Sequence, residues 1–91
     1  MNKSDLIEIL AKKYDITKKK SERIVNQVFD EMTSALKNGD KIEIRGFGSF
    51  VVKEYKAYKG RNPKTGESIE VKEKKLPFFK VGRELKKRVD E

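Results

Sequence analysis

The 91-residue chain has no cysteine, no histidine and no tryptophan, and only two prolines. Without cysteine there is no disulfide, no thiol nucleophile and no thiolate zinc site. Without histidine the commonest general base and the imidazole metal ligand are missing too. The five serines therefore lack the partner that a nucleophilic triad needs. No apolar run approaches the ~18 residues of a membrane span, and the first residues carry no signal-peptide core. The expectation is a soluble protein of a reducing compartment. Apolar residues are also scarce, 35% of the chain against 42% charged. A chain of this length makes a single domain, residues 1–91, and a lone globule of that size buries only about 60–65% of its unfolded surface. With disulfides and metal excluded, a second copy of the chain is the usual remaining source of stability.

What the chain does have is positive charge. Lys and Arg number 23 against 15 Asp and Glu, a net charge of +8, and the pI is about 9.7. That balance suits a polyanion, of which nucleic acid is the commonest inside cells. The excess is uneven: residues 1–51 carry net +2, residues 52–75 net +4 and residues 76–91 net +2. The most basic stretch is also where apolar residues thin out, so something there reaches away from the core.

The periodicity predicts two helices followed by strands. Asn2 or Ser4 can cap a first helix, in which Leu6, Ile7, Leu10 and Tyr14 recur at helical spacing. Thr17 can cap a second. Its apolar positions Ile24, Val25, Val28, Phe29, Met32, Ala35 and Leu36 form one broad stripe, closed by Asn38-Gly39-Asp40. The stripe reads as core or partner surface. From Lys41 the period changes to two, with Ile42 and Ile44 alternating with charges. Gly46-Phe47-Gly48 then turns the chain, and Ser49 to Lys59 read as one longer strand. Gly60 to Gly66 are a turn by composition, Ile69 and Val71 restart a strand that fades into Glu73-Lys74-Lys75, and Leu76-Pro77-Phe78-Phe79 return to a core. Gly82 to Asp90 make a short basic helix. The fold class is α+β, with a helical part at 1–39, a sheet at 40–80 carrying an arm at 53–75, and a C-terminal helix within 81–91.

No constellation suggests catalysis or a metal. Gly46-Phe47-Gly48 is not a dinucleotide fingerprint, because the third glycine is replaced by Val51, and no GK[ST] completes a phosphate loop. Glu67, Glu70 and Glu73 read as solvated strand positions. The chain is expected to be no enzyme and to use no cofactor, metal or small-molecule substrate. The ribbon is more informative. Lys53, Lys56, Lys59, Arg61 and Lys64 run towards its tip, and Lys72, Lys74 and Lys75 run back. A two-stranded ribbon is narrow enough for a DNA groove, and cations along it would meet phosphates on both rims. Arg61 and Asn62 offer donors to minor-groove acceptors, and Pro63 a rigid apolar edge of the kind that unstacks base steps.

Three stretches carry a resemblance. Glu43-Ile44-Arg45-Gly46-Phe47-Gly48-Ser49-Phe50, Gly60-Arg61-Asn62-Pro63-Lys64-Thr65-Gly66, and Pro77-Phe78-Phe79-Lys80 with Gly82-Arg83-Glu84-Leu85 are similar to the bacterial HU / integration host factor family of histone-like proteins, from Met1 to about Val89. The resemblance implies an intertwined dimer with a helical base, a saddle of three-stranded sheets and two protruding β-ribbon arms that clasp double-stranded DNA. Such a protein belongs to the bacterial nucleoid, in the cytoplasm, and binds DNA largely non-specifically, with no membrane partner. Val28, Phe29, Met32, Leu36, Ile44, Phe47, Phe50 and Phe79 would then form the shared core. Arg61 and Asn62 would lie in the minor groove with Pro63 as the wedge, a device for which this family is itself a known example. Lys3, Lys18 and Arg83 match basic positions that hold flanking phosphates. Arg45, Gly46, Ser49, Lys80 and Lys86 complete the expected interface beside the arm cations. The chain departs from many HU proteins at Tyr55 and Tyr58, where those have arginine. Its run Ile42 to Phe50 is closest to the β subunit of integration host factor. Two alternatives stand beside a homodimer that bends DNA non-specifically, the first raised by that run and the second a different class of basic protein. One is a site-preferring subunit that pairs with a paralogous chain, with Glu43 holding Arg45 in one rotamer as a groove probe. The other is a basic RNA-binding structural protein.

Overall fold

The computed structural model describes all residues, Met1–Glu91. Two helices come first, α1 (Lys3–Lys13) and α2 (Lys18–Lys37). Asn2 caps α1 through a reciprocal box: its Oδ1 accepts from the Asp5 amide at 2.8 Å, and the Asp5 carboxylate accepts from the Asn2 amide at 3.0 Å. After α1, Asp15 takes a left-handed φ of 50°, and the Ile16 amide reaches back to the Ala11 carbonyl at 3.0 Å, which stops the helix. Thr17 caps α2 by accepting from the Lys20 amide at 3.1 Å. Gly39, at φ 82°, closes α2 with the Asp40 amide bonded to the Ala35 carbonyl at 2.9 Å. The two helices meet at a small dry contact in which Ile7, Val25 and Ser21 are buried. The Ser21 hydroxyl donates to the Ile7 carbonyl at 2.7 Å, so this polar side chain lets the helices approach closely without an unpaired group.

Three strands form an antiparallel sheet in the order β1-β2-β5, from β1 (Ile42–Ile44), β2 (Gly48–Tyr55) and β5 (Lys74–Val81). A separate two-stranded ribbon joins β3 (Tyr58–Arg61) to β4 (Ser68–Val71), and α3 (Arg83–Val89) follows the sheet. The single strand expected over Ser49–Lys59 is thus interrupted at Lys56-Ala57. On the return, Lys74 and Lys75 belong to β5, paired with Tyr55 and Glu54, rather than to a fading end. The β1–β2 turn places Gly46 at φ 82°, with the Phe47 amide donating to the Ile44 carbonyl at 3.0 Å. Gly48 is needed for a different reason. A Cβ there would lie 2.5 Å from the Lys80 carbonyl and 2.6 Å from the Phe79 ring, so any side chain would displace that ring.

The face of the sheet towards α2 carries Ile42, Ile44, Phe50, Val52, Pro77 and Phe79. Phe79 stacks obliquely on Phe50 at 4.8 Å and on Phe47 at 5.5 Å between ring centroids. Yet only 3 of 91 residues are fully buried. Of the expected core, Met32, Leu36 and Phe50 are half-buried, while Val28, Phe29, Ile44, Phe47 and Phe79 are exposed in a single chain. The radius of gyration is 19.2 Å, against about 12 Å for a compact domain of this length. The accessible surface is 8459 Å², where a compact monomer of this mass would expose about 5,500 Å². A single copy is an open scaffold with an unclosed core.

Candidate nucleic-acid interface

The ribbon acquires its function from its register. β2 pairs with β5 from Gly48↔Val81 to Tyr55↔Lys74, and β3 pairs with β4 from Tyr58↔Val71 to Arg61↔Ser68. Two residues are skipped on each strand, Lys56-Ala57 and Lys72-Glu73, so the pairing resumes in step, and the strand period of two, carried across the gap, assigns alternate residues to the two faces. One face of the long ribbon then carries Lys53, Lys59, Arg61, Lys72, Lys74 and Lys80, with Glu70 the one carboxylate along it. The opposite face carries Glu54, Lys56, Glu73 and Lys75, which balance. Local contacts agree: Lys75 Nζ lies 3.8 Å from the Glu54 carboxylate, and Lys74 Nζ lies 5.8 Å from the Tyr55 ring centroid. The positive excess of residues 52–75 is therefore concentrated on one side, where it forms a continuous track.

The tip is held by its own backbone. The Asn62 amide donates to the Glu67 carbonyl at 2.8 Å and the Gly66 amide to the Asn62 carbonyl at 2.7 Å, with Gly66 at φ 72°. Asn62 Oδ1 accepts from the Lys64 amide at 2.9 Å, an Asx turn that brackets Pro63. That bond uses the acceptor of Asn62 and leaves its amino group free to donate, as minor-groove base edges require. Arg61, Pro63 and Lys64 are exposed. On the ribbon face bearing Tyr58, the ring covers Gly60, with Cε2 3.5 Å from where a Cβ would stand, and so supplies packing that the glycine lacks.

The remaining expected contacts lie on the body. Lys3, at the start of α1, donates to Asn26 Oδ1 at 2.9 Å. Lys18, at the start of α2, is 3.8 Å from the Glu8 carboxylate. Arg45, Gly46, Ser49 and Arg83 line one depression where the β1–β2 turn meets the start of α3. Lys80 points to the cation face of the sheet opposite Ser49, and Lys86 lies on α3. No three histidine, cysteine or acidic side chains gather as a metal site would require. No helix is long and apolar enough to cross a membrane.

The model of the family described as bacterial DNA-binding protein matches residues 1–90. The chain belongs to this family, the HU proteins. It is 51% identical over 86 residues to DNA-binding protein HU 1 of Bacillus subtilis, covering 94% of each chain. It is 49% identical over 90 residues to DNA-binding protein HU-1 of Halalkalibacterium halodurans, covering 99% of this chain and all of that one. An Anabaena HU–DNA cocrystal structure shares the fold at a TM-score of 0.83, with 37% identity over 98% of this chain and 97% of the other.

Within this HU scaffold one expected contact is corrected. Glu43 does not hold Arg45: its carboxylate pairs with Lys41 Nζ at 2.8 Å. Lys41 and Glu43 are two apart at the strand edge and so share a face, whereas Arg45 already belongs to the turn. The Lys41 ammonium, by hydrogen bond and by charge, lowers the Glu43 pKa from its ordinary value. The pair's small contribution is thus present above the usual carboxylate range and fades as pH falls through the lowered value. Lys41→Ala is expected to return the Glu43 titration, followed by NMR, to the ordinary carboxylate value; an unmoved titration would assign the shift elsewhere. The face that gathers the cations also includes Lys74, present in the sequence run but unmarked there as a contact. Only its pairing with Tyr55 places it beside Lys53 and Lys72.

Proposed function

We propose that the chain works as a dimer that binds double-stranded DNA through the minor groove and bends it, with little dependence on sequence. The observation that carries this reading is the one-sided cation track running from Lys80 and Lys53 on the sheet to Arg61 beside the Asn62-Pro63 tip. A charged ribbon that met phosphates at random would not sort its lysines by face. A related HU seen with DNA supports the choice of polyanion. The exposed apolar face of α2 and of the sheet supports the dimer. The excess surface of one copy over a compact monomer is about 3,000 Å², part of it in the arm and enough for an interface of obligate size. On this assignment Lys3, Lys18, Arg83 and Lys86 hold flanking DNA, while Arg61 and Asn62 read groove width and Pro63 wedges a base step.

The test is a titration of the purified chain on a random duplex and on a kinked one across salt concentrations, with sedimentation to establish the species that binds. Binding of structured RNA in preference to either duplex would overturn the reading. The face assignment gives a sharper outcome. Lys72→Ala, on the track, is expected to lower the slope of log K against log salt by about 0.9 and to weaken all sequences alike. Lys56→Ala, on the balanced face, is expected to leave the slope almost unchanged. Equal slope losses for the two would show that the ribbon presents no single DNA face.

A further inference from the structure

The side of α1 turned away from α2 has a pattern that neither the helix contact nor the cation track explains. Ile7 is the α1 residue buried against α2. Asp5, Glu8, Ile9 and Lys12 recur on the opposite side at helical spacing, and with Met1 they line one shallow depression. Ile9 is 48% exposed and Met1 93%, two large apolar side chains within an otherwise charged stripe. The charges are sorted along the helix. Asp5 and Glu8 lie towards its start, Lys12 and Lys13 at its end. Glu8 turns to Lys18 Nζ, 3.8 Å away, rather than to Lys12 one turn on, and neither Lys12 nor Lys13 makes an ion pair within the chain. A gradient of this kind suits the helix dipole. The dipole gives no reason for an exposed isoleucine between the two halves.

The stripe is complementary to itself. A two-fold rotation about an axis beside Ile9 lays the acidic half of one helix on the basic half of another and brings the two Ile9 side chains together. Asp5 and Glu8 balance Lys12 and Lys13, so two copies of a chain of net charge +8 can meet here without repulsion. We propose that this face joins one dimer to the next through an antiparallel contact between two α1 helices, with Glu8 of each against Lys12 of the other. It is distinct from the surface that closes the dimer, which lies on α2 and on the side of the sheet towards α2. With 11 residues, α1 is about 16 Å long. Two such helices bury well under the ~1,200 Å² of a stable interface, so free dimers stay separate and the contact is felt where DNA holds them close. Lys18 places the contact: it is expected to hold flanking duplex, and it sits beside Glu8. The stripe thus lies where the duplex leaves one dimer for the next. The proposal rests on the DNA-binding reading and adds to it cooperativity between bound dimers.

The experiment compares a duplex long enough for one dimer with a duplex long enough for two, at low salt. The proteins are the wild-type chain, Glu8→Lys, Lys12→Glu, and an equimolar mixture of the two variants, each checked for folding by circular dichroism. On the longer duplex the second wild-type dimer is expected to bind about tenfold more tightly than the first, on the scale of two exposed ion pairs and one apolar contact. Either variant alone sets like charges across the contact and is expected to lose that factor, while its binding to the shorter duplex persists. Each substitution also alters the charge pattern within α1, so the mixture is decisive. There the added lysine of one variant meets the added glutamate of the other, and the tenfold factor is expected to return. A mixture as non-cooperative as its parts would confine these charges to their own helix and overturn the proposal. So would independent binding by the wild-type chain, or undiminished cooperativity in either variant alone. Failure of the wild-type chain to bind either duplex would instead overturn the DNA-binding reading itself.

Discussion

Replacing Phe79 by alanine is expected to cost about 3–5 kcal/mol of stability, the range for truncating a buried aromatic side chain. In one copy Phe79 is 37% exposed, which by itself would not justify such a cost. Its ring, however, bridges Phe47 and Phe50 on the face of the sheet that looks towards α2. On α2, Ile24, Val28 and Phe29 are exposed as well. Together they form an apolar surface too large for a stable solvated monomer with three fully buried residues. If a second copy closes this surface, the cavity left by Phe79→Ala opens in the shared core of both protomers. The melting temperature of the wild-type chain then rises with protein concentration. The variant melts lower by more than about 12 °C, from the usual dependence for domains of this size. Denaturation at two concentrations, with sedimentation equilibrium alongside, checks both statements. A folded monomer whose melting temperature ignored concentration would sink the dimer. So would a Phe79→Ala loss below about 1 kcal/mol, because a side chain left in solvent costs little to remove.

The parts of this molecule that were legible in the sequence are those decided by neighbours along the chain. Asn2 with Asp5, Thr17, and Asn38-Gly39-Asp40 set helix ends by bonds that span a few residues, so residue type and spacing suffice. The Asn62–Gly66 tip is local in the same way. What the sequence hides is decided across strands or between helices. Lys53, Lys56 and Lys59 recur every three residues, a spacing that conceals a period of two. The registers on either side of Lys56-Ala57 are in step, and strand parity carried across that gap puts Lys53 and Lys59 on one face and Lys56 on the other. Glu43 has a cation two residues away on each side, and a linear reading has no ground for choosing Lys41 over Arg45. The strand edge makes the choice by keeping Lys41 on the same face and turning Arg45 into the loop. Ser21 gives no hydrophobic signal, yet it is fully buried because the close approach of α1 needs a small residue that can satisfy itself on the Ile7 carbonyl. Phe78 read as core because it adjoins Phe79. Adjacent strand residues point to opposite faces, so one of the two had to lie outside.

Replacing Pro63 by alanine is expected to reduce DNA bending while leaving most of the electrostatic affinity in place. The tip geometry makes this substitution unusually clean. Proline has no amide hydrogen to lose, and the bonds that hold the turn run between Asn62, Lys64, Gly66 and Glu67, none through the Pro63 side chain. Alanine therefore keeps the turn and the placement of Arg61 and Asn62, and removes only the ring at the leading corner. A rigid ring loses no rotamer freedom when it enters a base step, whereas the methyl group of alanine is too short to hold the step open. Unstacking a step costs about a few kcal/mol, so the wild-type chain is expected to prefer a duplex already kinked by a mismatch or nick, where that cost is already met. Without the wedge neither duplex is unstacked, and the preference is expected to shrink by on the order of tenfold. The slope of affinity against salt stays as it was, since no cation has changed. Energy transfer between dyes at the two ends of a duplex reads the bend, and competition between intact and kinked duplexes reads the preference. If the end-to-end distance in the complex were the same for Pro63→Ala and the wild type, the bend would have to come from the cation track pulling the flanks of the duplex towards Lys3, Lys18 and Arg83. Pro63 would then be a turn residue and nothing more.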